Sequence, residues 1–599
     1  MSWHSYILIV LLLGLGLSAL ASEDTLQDIQ VTAEKAVSPH DFGSSDRISS
    51  RELQKGSSAS IIPQLNKVPG LYSTQSGGPG GTSSFFIRGT QSSHVAFTLD
   101  GLKLNDTSGT QRQFDPAFFT SLFLKDIEVH KGPQAVVFGS DAMGGLIEMK
   151  TRKGENPGHS QVKLSGGSFG TIEAAASTDW SKKNHRGSIT ANQFHTDGIS
   201  RLNRKRYNAK EADSADITNL TSSSAHEFKG GQTNLLFSFI RGKNELDGAV
   251  DDNSHDHSSN DQYLVQQKTH WEINDHSAFS LRNGLNRNQR FLDTLAAGKN
   301  TFVGNLFQNE MLYQVEQERF SLLSGLATEH EEIEFQHIDR SFDLHSLFAQ
   351  GALRLGKFSI QSGARIESHS RYGNFATGSG GVAYQHGRNI FTIQHSQGFK
   401  SPSLYQLYAP PLFGPPIGNR NLVPERNHAW EARWEHRYET REAQLALFQN
   451  RLSNLINFTN AGFRNQGRLI TEGVEASVKH RERSFSFGPS FTHQEFKDVE
   501  TAVLRRPMNV AKFIVSYNFN EHSELEVSSR WFDARKDLDV NGQVVKLNPY
   551  ETIDLRYIHK QGRDTWGMLV NNLFNREYEE IYGTSVMPLA VTFNFGRDF

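Results

Sequence analysis

The sequence predicts an all-β transmembrane barrel of antiparallel strands preceded by a smaller α+β domain, and three observations carry this expectation. Segments 235–240, 443–448 and 513–519 are short runs rich in branched and aromatic residues, and at the end of the chain Leu589, Val591, Phe593, Phe595 and Phe599 alternate with Ala590, Thr592, Asn594 and Asp598. Charged residues are 21% and mean hydropathy is -0.52, values that suit a soluble chain and equally a barrel, in which lipid-facing and lumen-facing residues alternate and cancel. Between residues 85 and 145, three strand endings closed by glycine follow one another, a different texture from the rest.

At 599 residues there is room for more than one domain, and the absence of Cys excludes disulfides, c-type haem attachment and thiolate metal sites. A net charge of -3 with pI near 6.8 gives no support for nucleic-acid binding. No Ser/His/Asp order, paired carboxylates or zincin motif is present, so the chain reads as a protein that binds and gates without covalent chemistry, not an enzyme.

The only long apolar run, 6–17, is too short for a membrane-spanning helix, which needs about 20 residues. It is followed by Ala19 and Ala21, spaced as at a signal-peptidase site, so 1–21 is expected to be a signal peptide, although 1–5 lack Lys and Arg. Next, Asp28, Ile29, Gln30, Val31, Thr32 and Ala33 form an extended-type segment that another protein could capture as an added strand.

The glycine-closed endings are Phe86-Ile87-Arg88-Gly89, Thr98-Leu99-Asp100-Gly101 and Ile127-Glu128-Val129-His130-Lys131-Gly132-Pro133, followed by the run 136–145. Each is a strand entering a turn that needs a permissive backbone. In this order and spacing they resemble the plug domain of TonB-dependent outer-membrane receptors. The resemblance implies a signal peptide (1–21), a TonB box and linker (22–43, with the box at 28–33), a plug filling the lumen (44–152) and a barrel (160–599). About 440 residues shared by about 22 strands leave about 20 for each, half to cross the bilayer and half for turns. It also implies a multi-pass barrel in the outer membrane of a Gram-negative bacterium, a monomer in contact with outer-membrane lipid. TonB energised by ExbB and ExbD would drive it, a small-molecule or metal-chelate substrate would be the cargo, and a periplasmic binding protein would receive it. No resident cofactor is required.

Two polar, Gly-rich loops, 75–82 and 105–112, are the apical loops on this resemblance, with Thr74, Gln75, Ser76, Gly77, Asn105, Asp106, Thr107, Gln111 and Arg112 as ligand-binding candidates. The first lacks the Lys of a phosphate-cradling loop. Lower in the plug, Arg88 and Lys131 occupy positions where the family pairs basic residues with wall carboxylates. In 430–435 a period of two sets Trp430, Ala432 and Trp434 on one face and Glu431, Arg433 and Glu435 on the other. Lipid takes the Trp face, so Glu431 points inward, and Glu475 does so by the same parity. Arg88 and Lys131 against Glu431 and Glu475 are the expected latch.

Polar stretches 203–231, 247–262 and 408–421 are expected to be extracellular insertions. His255 and His257 with an Asp could bind zinc, whereas the spacing does not match an EF-hand loop; a solvated loop is the other reading. Ser93-His94-Val95, the run 398–408, Asn421-Leu422-Val423-Pro424-Glu425 and 572–578 with Tyr582-Gly583 are similar to the cobalamin receptor subgroup. That subgroup implies calcium on an early extracellular Asp cluster, for which Asp213, Asp216, Asp247 and Asp251 are the candidates. The cargo expected is cobalamin; a ferric siderophore, haem or zinc are alternatives, and a passive pore or surface adhesin is the reading of a different class. Deleting 23–36 is expected to abolish uptake while leaving ligand binding at the cell surface intact; a passive pore would keep its uptake.

Overall fold

The computed structural model describes residues 42–599 except 56–58, 155–157, 249, 337, 411–416, 460 and 500–502. The expected signal peptide and the strand at 28–33 lie outside the described residues. Twenty-two antiparallel strands form a closed barrel, and closure is made by the last strand, Ala590–Asp598, pairing with the first, Ser160–Gly167, with Phe595 opposite Leu164. Closure leaves no strand edge unpaired in lipid, which is the condition for a sheet to cross a bilayer.

Side-chain parity follows the membrane. In Gly231–Glu245, Leu235 and Phe237 are exposed, whereas Leu236, Ser238 and Ile240 are buried against the lumen contents. Leu236 and Ile240 are apolar because they join the hydrophobic core of the plug. One end of the barrel has tight turns, such as 183–184, 229–230 and 275–276; the other carries the long connections 401–424, 533–549 and 572–589. Exposed Trp271, Tyr313, Tyr438, Tyr517 and Trp566 lie near the tight-turn end, as in an aromatic girdle at a membrane interface, and the short turns themselves identify that end as periplasmic.

Polarity alone overstates the loops. Most of 203–231 is the strand Asp213–Phe228, and the strand His257–Asn274 begins inside 247–262. The reason is that inward positions such as Asn219, Thr221 and Ser223 face the plug and its polar surroundings, so a strand of this barrel can be as polar as a loop.

The plug lies inside. Its five-stranded mixed sheet runs in the order Ser45–Ile48, Leu124–Lys131, Gly145–Thr151, Val95–Leu99 and Leu102–Lys103, with Val95–Leu99 parallel to Gly145–Thr151. A hairpin, Leu71–Gln75 with Ser83–Ile87, stands beside it. Phe85, Phe97, Phe114, Phe119 and Phe123 touch in sequence, with ring centroids between 5.1 and 5.6 Å apart. Such edge and tilted contacts add to area burial, and they give this small domain a core of its own within the lumen.

Candidate functional site

The interface between plug and wall is built from buried charge. Arg88 donates to Glu431 and, at 3.0 Å, to Glu475, with each partner almost fully buried. Lys131 reaches Glu475 at 3.3 Å and Asp46 at 2.9 Å. Glu431 is thus met by Arg88 alone of the two expected plug cations, and the second carboxylate on Lys131 is Asp46 of the plug, which also accepts from Lys479 at 2.8 Å. Asp46 was not legible in the sequence because its neighbours carry no motif.

Backbone geometry serves this latch. Arg88 has φ +49° and Gly89 +73°, so two successive residues in the left-handed region turn the chain after Ser83–Ile87 and aim the guanidinium outward. Gly70 has φ +70°, and a Cβ there would lie 1.7 Å from a Glu475 carboxylate oxygen. Only glycine both adopts that angle and leaves room for the carboxylate.

A second buried network joins the plug to a neighbouring stretch of wall, from Phe320–Phe335 to Asn389–Lys400. Arg112 donates to both oxygens of Glu331 at 3.0 Å, to Asp141 at 3.0 and 3.2 Å and to Ser401 at 2.9 Å. Lys400 donates to Asp141 at 2.7 Å and Asn105 to the same carboxylate at 3.1 Å. Nearby, Lys103 grips Glu329 at 2.8 Å. Burial would lower the Arg112 pKa, but Asp141 and Glu331 outweigh it and raise it; burial would raise that of Asp141, and Arg112 with Lys400 holds it well down. Arg112 at φ +46° and Asp141 at +79° are again left-handed non-glycine residues, held there by their ion pairs.

These contacts correct the expected ligand surface. Thr74, Asn105, Thr107 and Arg112 are buried: Thr107 donates to the Glu332 carbonyl at 2.8 Å and Arg112 is consumed by the network. Gln75, Ser76, Asp106 and Gln111 are partly exposed, and Gly77 is covered by Arg201. The Gln75 N–H is held by Glu580, the Ser76 carbonyl by Arg201, and Asp106 by Arg290 at 3.2 Å. The apical loops are therefore clamped to the wall, with the half-exposed residues the ones left open to a ligand.

The acidic residues also regroup. Glu211, Asp247 and Asp252 bring carboxylate oxygens within 4.8 Å of one another, and Asp213 sits against Asp247. Asp213 Oδ2 accepts from the Arg201 N–H at 2.6 Å, whereas the buried Oδ1 has no hydrogen-bond partner among the described residues. Asp216, three residues on, falls on the other face of its strand and pairs with His195 at 2.9 Å. Asp251 is exposed, and His255 and His257 face Asp293 at 3.6 and 4.0 Å. The expected calcium set therefore keeps Asp213 and Asp247, finds Asp216 and Asp251 apart from them, and gains Glu211 and Asp252, whereas His255 and His257 stand separately beside Asp293, the kind of His and Asp grouping expected for zinc. An all-oxygen set with an orphaned buried carboxylate oxygen fits a hard cation such as calcium.

A barrel whose lumen is stopped by a separately folded, ion-paired domain defines a gated outer-membrane transporter. The chain belongs to the TonB-dependent receptor family: residues 159–573 match the family model described as TonB dependent receptor-like, beta-barrel, and 42–146 match the TonB-dependent Receptor Plug Domain. Among solved structures it is similar to the FrpB iron transporter of Neisseria meningitidis, with a TM-score of 0.79 and 14% identity over 93% of this chain and 100% of that one. The siderophore receptor PirA of Acinetobacter baumannii gives 0.78 and 15% over 93% and 98%. A mutant of the ferric enterobactin receptor PfeA of Pseudomonas aeruginosa gives 0.77 and 14% over 93% and 98%. At these identities the likeness is one of fold. The family carries out TonB-coupled transport of small-molecule nutrients across the outer membrane and is not a class of enzyme.

Replacing Glu475 by Gln leaves Arg88 and Lys131 short of a buried negative charge, and breaking such a pair costs about 3–5 kcal/mol. The expected outcome is earlier loss of the plug in urea, read by trypsin cleavage within 44–152 while the barrel still runs as a folded band. An unshifted urea midpoint would rule out the latch.

Burial alone would raise the Asp46 carboxyl, but Lys131 and Lys479 hold it down at about 2, against an ordinary 3.8. A depressed carboxylate contributes stability that is full above its unfolded pKa and lost as pH falls through the folded one. About 2 kcal/mol of plug docking should therefore disappear between pH 4 and 2. Pepsin cleavage near Ser45–Ile48 across that range should rise more steeply in the wild type than in Asp46→Asn.

Proposed function

We propose that this receptor imports cobalamin, a bulky and largely neutral metal complex. The observation that carries this reading is the constellation Glu211, Asp213, Asp247 and Asp252 above the plug, at the place where the resemblance to the cobalamin receptor subgroup implies calcium. These four residues would hold the ion, which would supply charge neutralisation that lets acidic loops close together. Arg201 contributes its N–H to Asp213 and its guanidinium to the Ser76 carbonyl, so ordering of the acidic loops is passed to the apical plug loop through one residue.

In the proposed cycle, cargo settles on the half-exposed Gln75, Ser76, Asp106 and Gln111, and TonB, driven by ExbB and ExbD, pairs with 28–33 as an added strand and pulls. The receptor acts as a monomer in an outer-membrane bilayer and hands its cargo to a periplasmic binding protein. A ferric siderophore is the second reading, supported by the siderophore and ferric enterobactin receptors among the structural neighbours.

Equilibrium binding to the purified receptor with cyanocobalamin, ferric enterobactin, haem and zinc decides among the cargoes. The expected result is saturable cyanocobalamin binding that weakens at least tenfold, about 1.4 kcal/mol, on calcium chelation or in Asp213→Asn with Asp247→Asn. Saturable binding of ferric enterobactin alone would overturn the cobalamin reading, and cyanocobalamin binding indifferent to chelation would remove calcium from it.

A further inference from the structure

Two cavities flank the plug on one side of the barrel. The first, about 860 Å³, opens at the periplasmic end beside Ser45–Ile48 and the turns 482–484 and 519–522. The second, about 340 Å³, extends from Gly77 and Pro79 at the plug apex down the wall formed by Asn509–Asn518, Ser523–Phe532 and Tyr550–Gln561. Gln64, Lys67, Ile514 and Glu526 line both. The partition between the two spaces is therefore one layer of side chains.

That layer is an ion-paired cluster. Lys67 of the plug donates to Glu526 of the wall at 2.7 Å, and Arg556 donates to the same carboxylate. The Lys67 side chain is 24% exposed, against 3% for Arg88 in the latch. A pair partly open to water is screened and gives way more readily than one buried on all sides. Elsewhere the plug is tied by the Arg112 network, which borders neither cavity, and by the latch, which reaches the lower cavity through Asp46 and Lys479 while Arg88, Lys131, Glu431 and Glu475 line neither.

We infer that cargo crosses the barrel on this side, through the upper cavity and past the Lys67–Glu526–Arg556 cluster, which forms its floor. The inference rests on the transport function of the family and adds the route and its gate. The upper cavity is walled by both signs of charge, with Arg530 and Lys512 against Asp554 and Glu580. A balanced wall of this kind suits a polar cargo of low net charge, because a polyanion would meet as much repulsion as attraction.

The test uses the full-length chain reconstituted in planar bilayers with KCl as the probe. Lys67→Ala combined with Glu526→Ala is expected to give discrete conductance steps absent from the wild type. Arg152→Ala with Asp179→Ala, which removes a plug–wall pair of 3.0 Å elsewhere, is expected to give none. Because the chain has no Cys, a cysteine added at Thr552, which lines the upper cavity, can be tagged with a charged methanethiosulfonate; the tag should block the current. The same tag on a cysteine at Thr492, buried on another part of the wall, should not. Equal conductance in the two double variants, or block from Thr492 and not Thr552, would overturn the route. If the double variant yields no heat-modifiable barrel, Lys67→Ala alone is used, and a folded, non-conducting Lys67→Ala counts against the gate. KCl is the only permeant solute, so a failure here leaves the cobalamin reading standing, and a failure of cobalamin binding leaves this outcome unaffected.

Discussion

A guanidinium enclosed by protein and shared between two carboxylates from different strands is the constraint on which the rest of this structure depends. Arg88 meets Glu431 and Glu475 where water is nearly absent, and an unpaired charge there would cost several kcal/mol. The plug can therefore seat in one register and one rotation only. Gly70 makes the approach of Glu475 possible, and the left-handed Arg88 and Gly89 set its direction. The strain of that turn is tolerated because the ion pairs leave the side chain no other position.

Charge is distributed unevenly around the plug. The latch and the network around Arg112 and Asp141 are dry, whereas Lys67 and Glu526 sit at the junction of two cavities. Two contact types on one domain divide its work: dry pairs set position, and screened pairs can part without exposing much buried charge. An ordinary hydrophobic interface between plug and wall would be harder to reopen, because separation would wet a continuous apolar surface. Here the apolar contacts fall in separate patches between the charged ones, such as Leu236 and Ile240 on the plug core, Val136 and Phe138 against Leu312 and Phe348, and Tyr72 and Phe86 against Phe532 and Tyr550.

Much of the fold could be read from alternation. Trp430 exposed and Glu431 buried follow from a period of two and the presence of lipid. Alternation also explains two misreadings. Ser- and Thr-rich strands lining the lumen, such as Asp213–Phe228, look like loops because their inward face is polar. Asp213 and Asp216 look like one cluster by proximity in the chain, yet three residues along a strand is a change of face. Arg112 reads as a ligand contact from its place in a Gly-rich loop, but its partners Glu331 and Asp141 come from distant segments, and no local pattern announces them.

By itself the sequence determined the antiparallel barrel, the glycine-closed plug strands and the inward aim of Glu431 and Glu475, because each follows from local periodicity or from the backbone freedom of glycine. Only the tertiary structure decided that Asp46 shares Lys131, that Arg112 is an anchor, that Glu211 and Asp252 join Asp213 and Asp247, and that Lys67 stands between two cavities. Those facts depend on which segments meet when the sheet closes around the plug. That closure is a long-range event: Arg88 and Glu475 are separated by 387 residues in the chain and 3.0 Å in space.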